Sequence, residues 1–213
     1  MTYNNCSLCG TPAQIIKEIT KPIYFYCPNC DLIFMDNECF IDSTAEKTRY
    51  SLHRNSLANT GYVNMFERFI DVGVKPFCAG MKNGLDFGCG PGPVLSQLLT
   101  KLGIDMDIYD VYFYNNPAIK EKKYDLITAT EVFEHLKDPR SEIDLLKEIL
   151  NTGGLLAIMT LFHDHCDFKT WWYRRDSTHI CFYSTKTCHW IASHFNFKIK
   201  YIDSKNTCVW QKK

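Results

Sequence analysis

The chain has 213 residues, and its 24 Lys plus Arg balance 24 Asp plus Glu, so it is formally neutral at pH 7. A neutral chain has no long-range field to draw it onto polyanions, which disfavours nucleic acid as a partner. Hydrophobic residues make up 46%, aromatics 14% and charged residues 23%. That excludes disorder as the main state and suits one main domain with an appendage.

From the N-terminus, MTYNNCSLCG lacks the basic and apolar regions of a signal peptide, and no apolar run reaches about 18 residues anywhere. A soluble, cytoplasmic protein with no membrane partner is expected. There is no internal repeat, and texture changes near residues 40 and 80 suggest three regions: 1–40, 41–80 and 81–213. Of eleven cysteines, seven are scattered, while Cys6, Cys9, Cys27 and Cys30 form two C-x2-C pairs separated by seventeen residues. This spacing predicts a four-thiolate zinc site in a ribbon-like lobe. A filled four-thiolate site has no open position, so its expected role is structural. Lys17 and Lys21 are outnumbered by Glu18, Asp31, Asp36 and Glu38, which makes the lobe a poor clamp for phosphate backbones and favours protein docking or substrate gating.

Residues 41–80 read as a helical connector, with Tyr62, Met65, Phe66, Phe69 and Ile70 at three- and four-residue spacing. Beyond residue 80, strand and helix signals alternate. Strands are predicted at 84–89, 105–110, 124–130 and 154–161, and helices at 93–102 and 140–150. The end reads as a helix at 184–195 and strands at 197–203 and 207–211 that must be antiparallel across a short SKN turn. Such alternation predicts an α/β fold with a mostly parallel sheet covered on both faces.

The strand-turn-helix passage LDFGCGPGPV, Leu85 to Val94, sets Gly88, Gly90 and Gly92 where a ligand approaches the backbone. With Asp110 closing the next strand, YDLITATEVFEHLKDP at 124–139 and NTGGLLAIMT at 151–160, it resembles the class I S-adenosylmethionine (SAM) dependent methyltransferases from about residue 81 to the end. The resemblance implies a Rossmann-like methyltransferase sheet, mostly parallel with an antiparallel C-terminal pair, preceded here by the small zinc lobe. It also implies that Asp86 orients the methionine end of SAM, that Gly88, Gly90 and Gly92 cradle the cofactor, and that Asp110 holds the ribose. Thr130 and Glu131, at the carboxyl end of a strand, fall where open sheets of this kind place ligands. NAD is the alternative cofactor, disfavoured because the later glycine of the dinucleotide fingerprint is missing. Only fourteen residues separate Asp110 from Asp125, where the family usually fits a helix and another strand, which leaves contacts to the adenine edge unassigned.

Methyl transfer to a hydroxyl or amine needs alignment and a proton acceptor. Glu131, Glu134 and His135 have i, i+3, i+4 spacing, which places them on one face if a helical turn begins there. Their EVFEH string is similar to that of ubiquinone-pathway and small-RNA O-methyltransferases, and this likeness implies a second divalent metal beside the acceptor oxygen. The dense segment 161–184 is expected to line the substrate pocket, with His179 as the preferred general base. Tyr50 and His53, in RYSLHRN, are candidate lid residues. The expected activity is transfer of a methyl from SAM to an oxygen or nitrogen of a small-molecule acceptor. The alternatives are an rRNA-type methyltransferase and a non-catalytic SAM-binding or zinc-dependent interaction module. Oligomeric state is not encoded in any motif found.

Overall fold

The computed structural model describes residues 4–52 and 55–213. At the N-terminus, β1 (Asn4–Asn5) and β2 (Pro12–Ile15) flank the first C-x2-C turn, and β3 (Tyr24–Tyr26) and β4 (Ile33–Met35) flank the second. Each turn closes through a left-handed residue, Gly10 at φ +74° and Asp31 at φ +67°. Their amides donate to the carbonyls of Cys6 and Cys27 at 2.9 and 2.8 Å. Asp31 takes a conformation that favours glycine, and its side chain accepts from the Tyr26 and Ser184 hydroxyls at 2.8 and 2.6 Å.

Two connector helices follow, α1 (Ser43–Tyr50) and α2 (Thr60–Phe69). Asp42 caps the first through the amides of Thr44 and Ala45, and Asn59 caps the second through Tyr62. The body then alternates β5 (Asn83–Phe87), α3 (Val94–Thr100), β6 (Asp105–Tyr109), β7 (Tyr124–Thr130), α4 (Pro139–Ile149) and β8 (Leu150–Met159). A two-residue strand β9 (Cys181–Phe182), helix α5 (Thr185–His194), β10 (Phe197–Ile202) and β11 (Thr207–Lys212) complete it. Asp138 caps α4 with Pro139 in its first turn, and Ser184 with Thr187 forms a capping box on α5.

The main sheet has six strands in the order β10-β11-β8-β7-β5-β6. The pairings β6–β5, β5–β7 and β7–β8 are parallel, whereas β8–β11 and β11–β10 are antiparallel. Beyond an isolated Asp110–Tyr114 bridge, residues 111–123 hold a short 3-10 turn, Pro117–Glu121, and no strand, so β6 is an edge strand. Alternation along β7 and β8 sorts the core into two faces. Leu126, Leu155 and Ala157 pack with Phe66, Phe69 and Leu95 on the α2/α3 side. Ile127, Leu156 and Ile158 pack with Ile143, Leu146 and Ile191 on the α4/α5 side.

The cysteine lobe shares that second core. β4 pairs antiparallel with β9, joining Ile33 to Phe182 and Phe34 to Cys181, and Leu8, Tyr24, Leu32 and Phe34 belong to the same apolar cluster as Phe133 and Trp210. The end of the 161–184 segment is therefore tied to the lobe through β9. No helix among the described residues is long and apolar enough to cross a membrane.

Candidate functional site

A cleft of about 640 Å³ opens at the carboxyl ends of β5, β6 and β7, under α1 and α2. Its floor is the glycine loop. Gly88 has φ +77°, and a Cβ there would lie 2.3 Å from a Val132 methyl. A Cβ on Gly92 would lie 2.1 Å from the Asn55 carbonyl oxygen. Both positions therefore exclude a side chain, and the Gly90 amide donates to Asp110 Oδ2 at 3.0 Å.

Asp86, at the end of β5, is only 2% exposed, accepts from the Thr128 hydroxyl at 3.2 Å, and is pushed up to about 7 by burial. Asp110 turns the chain after β6, its Oδ1 accepting from the amides of Tyr112 and Phe113 at 2.9 and 3.2 Å. Thr130 closes β7 on the cleft wall. The structure thus gathers Asp86, Gly88, Gly90, Asp110, Thr130 and Glu131 around one cleft, with Gly92 packed against the Asn55 backbone at its rim.

At the other end, Glu134, His135 and His179 bring one ligand atom each within 4.8 Å of one another. The helical turn here begins at Phe133, not at Glu131, which stands alone at φ +54° with its amide bonded to the Met159 carbonyl at 2.7 Å. The expected shared helical face is therefore absent, and a bent backbone brings the groups together instead. Glu131 is exposed to the cleft, yet crowding by protein and the Glu134 charge raise its carboxyl well above the usual range.

Glu134 is fully buried. Its Oε1 accepts from the Tyr173 hydroxyl, while its Oε2 has no hydrogen-bond partner. Each histidine Nδ1 lies 2.8 Å from a carbonyl oxygen, Thr178 for His135 and Tyr173 for His179. A carbonyl only accepts, so each Nδ1 carries a proton, and a ring in its neutral form offers its lone pair at Nε2. Burial lowers the His179 pKa and favours that neutral form.

From the 161–184 segment, Asp176, Thr178 and His179 line the cleft. Trp171 packs on Phe182 and Tyr173, and Trp172 is 65% exposed, and neither lines the cleft. His163 bonds the Asp31 carbonyl at 2.9 Å and Asp164 accepts from the Thr185 amide at 2.9 Å, tying the lobe and α5 to the body. The walls come instead from Tyr50, Tyr62, Phe66, Tyr112 and Phe113. Tyr50 also meets His135 edge-on at 5.3 Å. His53 lies outside the described residues. Asn55, Glu46 and Glu142 also line the cleft; no local motif marks them.

In the lobe, Cys6 and Cys30 Sγ are 3.5 Å apart, Cys9 and Cys27 3.3 Å, and all four sulfurs lie within 4.8 Å. A tetrahedral zinc with bonds of about 2.3 Å sets sulfur–sulfur edges of about 3.8 Å, so the four thiols fit that ion. The Thr11 hydroxyl sits 3.0 Å from Cys9 Sγ and 3.3 Å from Cys27 Sγ, a hydrogen-bonding neighbour of the kind that orients metal thiolates.

Comparison with known proteins gives concordant relatives. The family described as a methyltransferase domain matches residues 13–202. A ubiquinone biosynthesis O-methyltransferase from Histophilus somni (strain 2336) is 28% identical over 118 residues, 42% of this chain and 48% of the relative. The Klebsiella pneumoniae (strain 342) protein of that name is 28% identical over 78 residues, 37% of this chain and 32% of the relative. The matches thus span half or less of these relatives. Among solved structures, an O-methyltransferase family protein from Burkholderia thailandensis aligns with TM-score 0.54 at 13% identity, covering 79% of this chain and 63% of that one. DesVI from Streptomyces venezuelae aligns with TM-score 0.54 at 11% identity, covering 81% and 99%. At such identities the likeness is one of fold.

Proposed function

Because this chain belongs to the methyltransferase-domain family, we propose that it transfers a methyl group from SAM to an oxygen or nitrogen of a small-molecule acceptor, such as the oxygen of a hydroxyl group. The observation that supports the reading is a glycine-loop cradle sharing one cleft with half-buried His135 and buried His179, which Glu134 backs from the interior. SAM supplies a methyl carbon activated by its sulfonium. Asp86 suits the ammonium of the donor and Asp110 its ribose hydroxyls, while the loop lets both come close to the backbone. His179 Nε2 takes the acceptor proton as the oxygen–carbon bond forms and the carbon–sulfur bond breaks, leaving S-adenosylhomocysteine (SAH). Its Nδ1 anchor on Tyr173 fixes the ring for that task, and the aromatic walls exclude water.

The unpartnered Glu134 Oε2 favours a second reading for the same groups. Glu134, His135 and His179 fit a divalent cation, whose chemistry would be to lower the pKa of the acceptor hydroxyl. In that case His179 serves as a ligand rather than as the base. Zinc in the cysteine lobe is assigned a folding role. The neutral chain and acidic lobe support a small acceptor over RNA, and the work of a cytoplasmic enzyme suits eleven free cysteines.

The test is transfer of labelled methyl from SAM to a panel of phenolic and amine acceptors, with and without Mn²⁺. Glu134→Gln and His179→Ala are expected to keep SAH affinity within about threefold and to lower turnover at least about a hundredfold. Mn²⁺ bound by the parent but not by Glu134→Gln supports the cation reading. Unchanged turnover in both variants rejects the site.

A further inference from the structure

The cysteine lobe reaches the backbone that holds His179, and two of its strands do so. The Met35 amide of β4 donates to the Ile180 carbonyl at 2.8 Å, and the Ile180 amide donates to the Glu134 carbonyl at 2.7 Å. The residue directly after His179 is thereby fixed between the lobe and the Glu134 turn. From β3, the Tyr24 hydroxyl donates to the Arg174 carbonyl at 3.3 Å. Arg174 directly follows Tyr173, whose carbonyl accepts from His179 Nδ1 at 2.8 Å.

Packing does not account for a tyrosine at position 24. The side chain is fully buried, and its ring meets Phe168 and Phe182 edge-on at 5.2 and 5.9 Å. A phenylalanine would make the same ring contacts, and burying a hydroxyl costs free energy unless it finds a partner. That partner, the Arg174 carbonyl, lies in the short 3-10 turn Trp172–Arg175. The Arg174 guanidinium lies 5.9 Å over the Tyr24 ring while its Nε and Nη2 donate to the Lys169 carbonyl at 3.1 and 2.6 Å. The turn is thus closed on itself and tied to the lobe. The His135 ring has a separate anchor, the Thr178 carbonyl, and the Thr178 amide and hydroxyl bond Asp176, the partner of Arg49 in α1.

We propose that Tyr24 is a positioning residue for His179: its hydroxyl fixes the Trp172–Arg175 turn, and with it the carbonyl that orients the imidazole, which makes the cysteine lobe a working part of the acceptor site. The proposal rests on the reading of His179 given above, as base or as ligand, since either role needs a fixed Nε2. Loss of such alignment lowers rate more than it lowers binding.

The test is nitrogen NMR of isotopically labelled histidines in the zinc-loaded full chain, at about pH 8 and without added divalent ion. SAH titration and methyl transfer to the best acceptor of the phenolic and amine panel are read beside it. The His179 signals are those that vanish in His179→Ala. The parent is expected to show a single His179 tautomer, protonated at Nδ1. Tyr24→Phe, which keeps the ring, should give a mixture of both tautomers at His179 and leave His135 unchanged, with kcat at least about tenfold lower and SAH affinity within about threefold. Phe25→Leu is the control for stability alone, because Phe25 is the next residue of β3, points to its other face and stacks on Phe34 at 5.6 Å. It should lower Tm while both histidines and kcat stay as in the parent. Parent-like His179 nitrogens in Tyr24→Phe, a mixed tautomer already in the parent, or the same change in Phe25→Leu overturns the assignment. If the parent transfers no methyl to any acceptor, the catalytic reading fails, while the His179 tautomer still decides whether Tyr24 holds the ring.

Discussion

Asp86 and Gly92 carry the sharpest consequences of single side chains. Burial raises the Asp86 carboxyl from its ordinary 3.8 to about 7, so between those values the folded chain holds a proton that the unfolded chain has lost. Its contribution to stability therefore falls as pH rises through that window. A bound ammonium favours the ionised form, so SAH affinity should tighten by up to about tenfold per pH unit below 7 and level off above it. Asp86→Asn should flatten that slope, as read by titration at several pH values. Gly92→Ala must displace the Asn55 backbone, 2.1 Å from the new methyl, and is expected to weaken SAH at least about tenfold in a folded chain. The glycine loop and both aspartates were legible because each sits at a strand end in a motif. Asn55, Glu46 and Glu142 were not, since they reach the cleft from three separate elements. Nor did spacing reveal that Glu131 adopts a left-handed conformation and leaves the turn that holds Glu134 and His135.

Among the elements, α1 is attached to the loop that presents the histidines. Arg49 Nε donates to Asp176 Oδ1 at 2.8 Å and its Nη2 pairs with Oδ2. Asp176 also accepts from the Thr178 amide and hydroxyl at 3.0 and 2.7 Å. Thr178 in turn anchors His135 through its carbonyl. The ion pair is solvent-facing, its side chains 45% and 24% exposed, so Arg49→Ala should cost less than about 1 kcal/mol of global stability. Its effect should be local: faster amide hydrogen exchange over Ser43–Tyr50, with β7 and β8 unchanged. Exchange that stays the same in α1 would contradict this attachment. The helices and strands themselves were largely legible, because strand and helix signals alternate beyond residue 80 and Asp138-Pro139 and Ser184 stand at helix starts. The pairing of β4 with β9 was not, since strands of three and two residues carry no periodicity and the partners lie about 150 residues apart in sequence.

For the whole molecule, the cysteine lobe and the main sheet share one apolar core and one long-range hydrogen-bonded strand pair. The Asp31 side chain, next to Cys30, accepts from the Ser184 hydroxyl at 2.6 Å, and His163 bonds the Asp31 carbonyl. Zinc removal should therefore not melt the lobe alone. Chelation, or Cys27→Ser with Cys30→Ser, is expected to lower Tm by about 10 °C or more in a single transition, followed by calorimetry. A separate low-temperature transition with the body unaffected would contradict the shared core. The central claim, that this fold builds a SAM cleft beside a proton-accepting histidine site, is tested most directly by titrating metal-analysed, folded chain with SAH and, separately, with NAD. The account predicts one SAH per chain, about one zinc per chain and no NAD binding. A zinc-loaded, folded chain that ignores SAH, or prefers NAD, would contradict it.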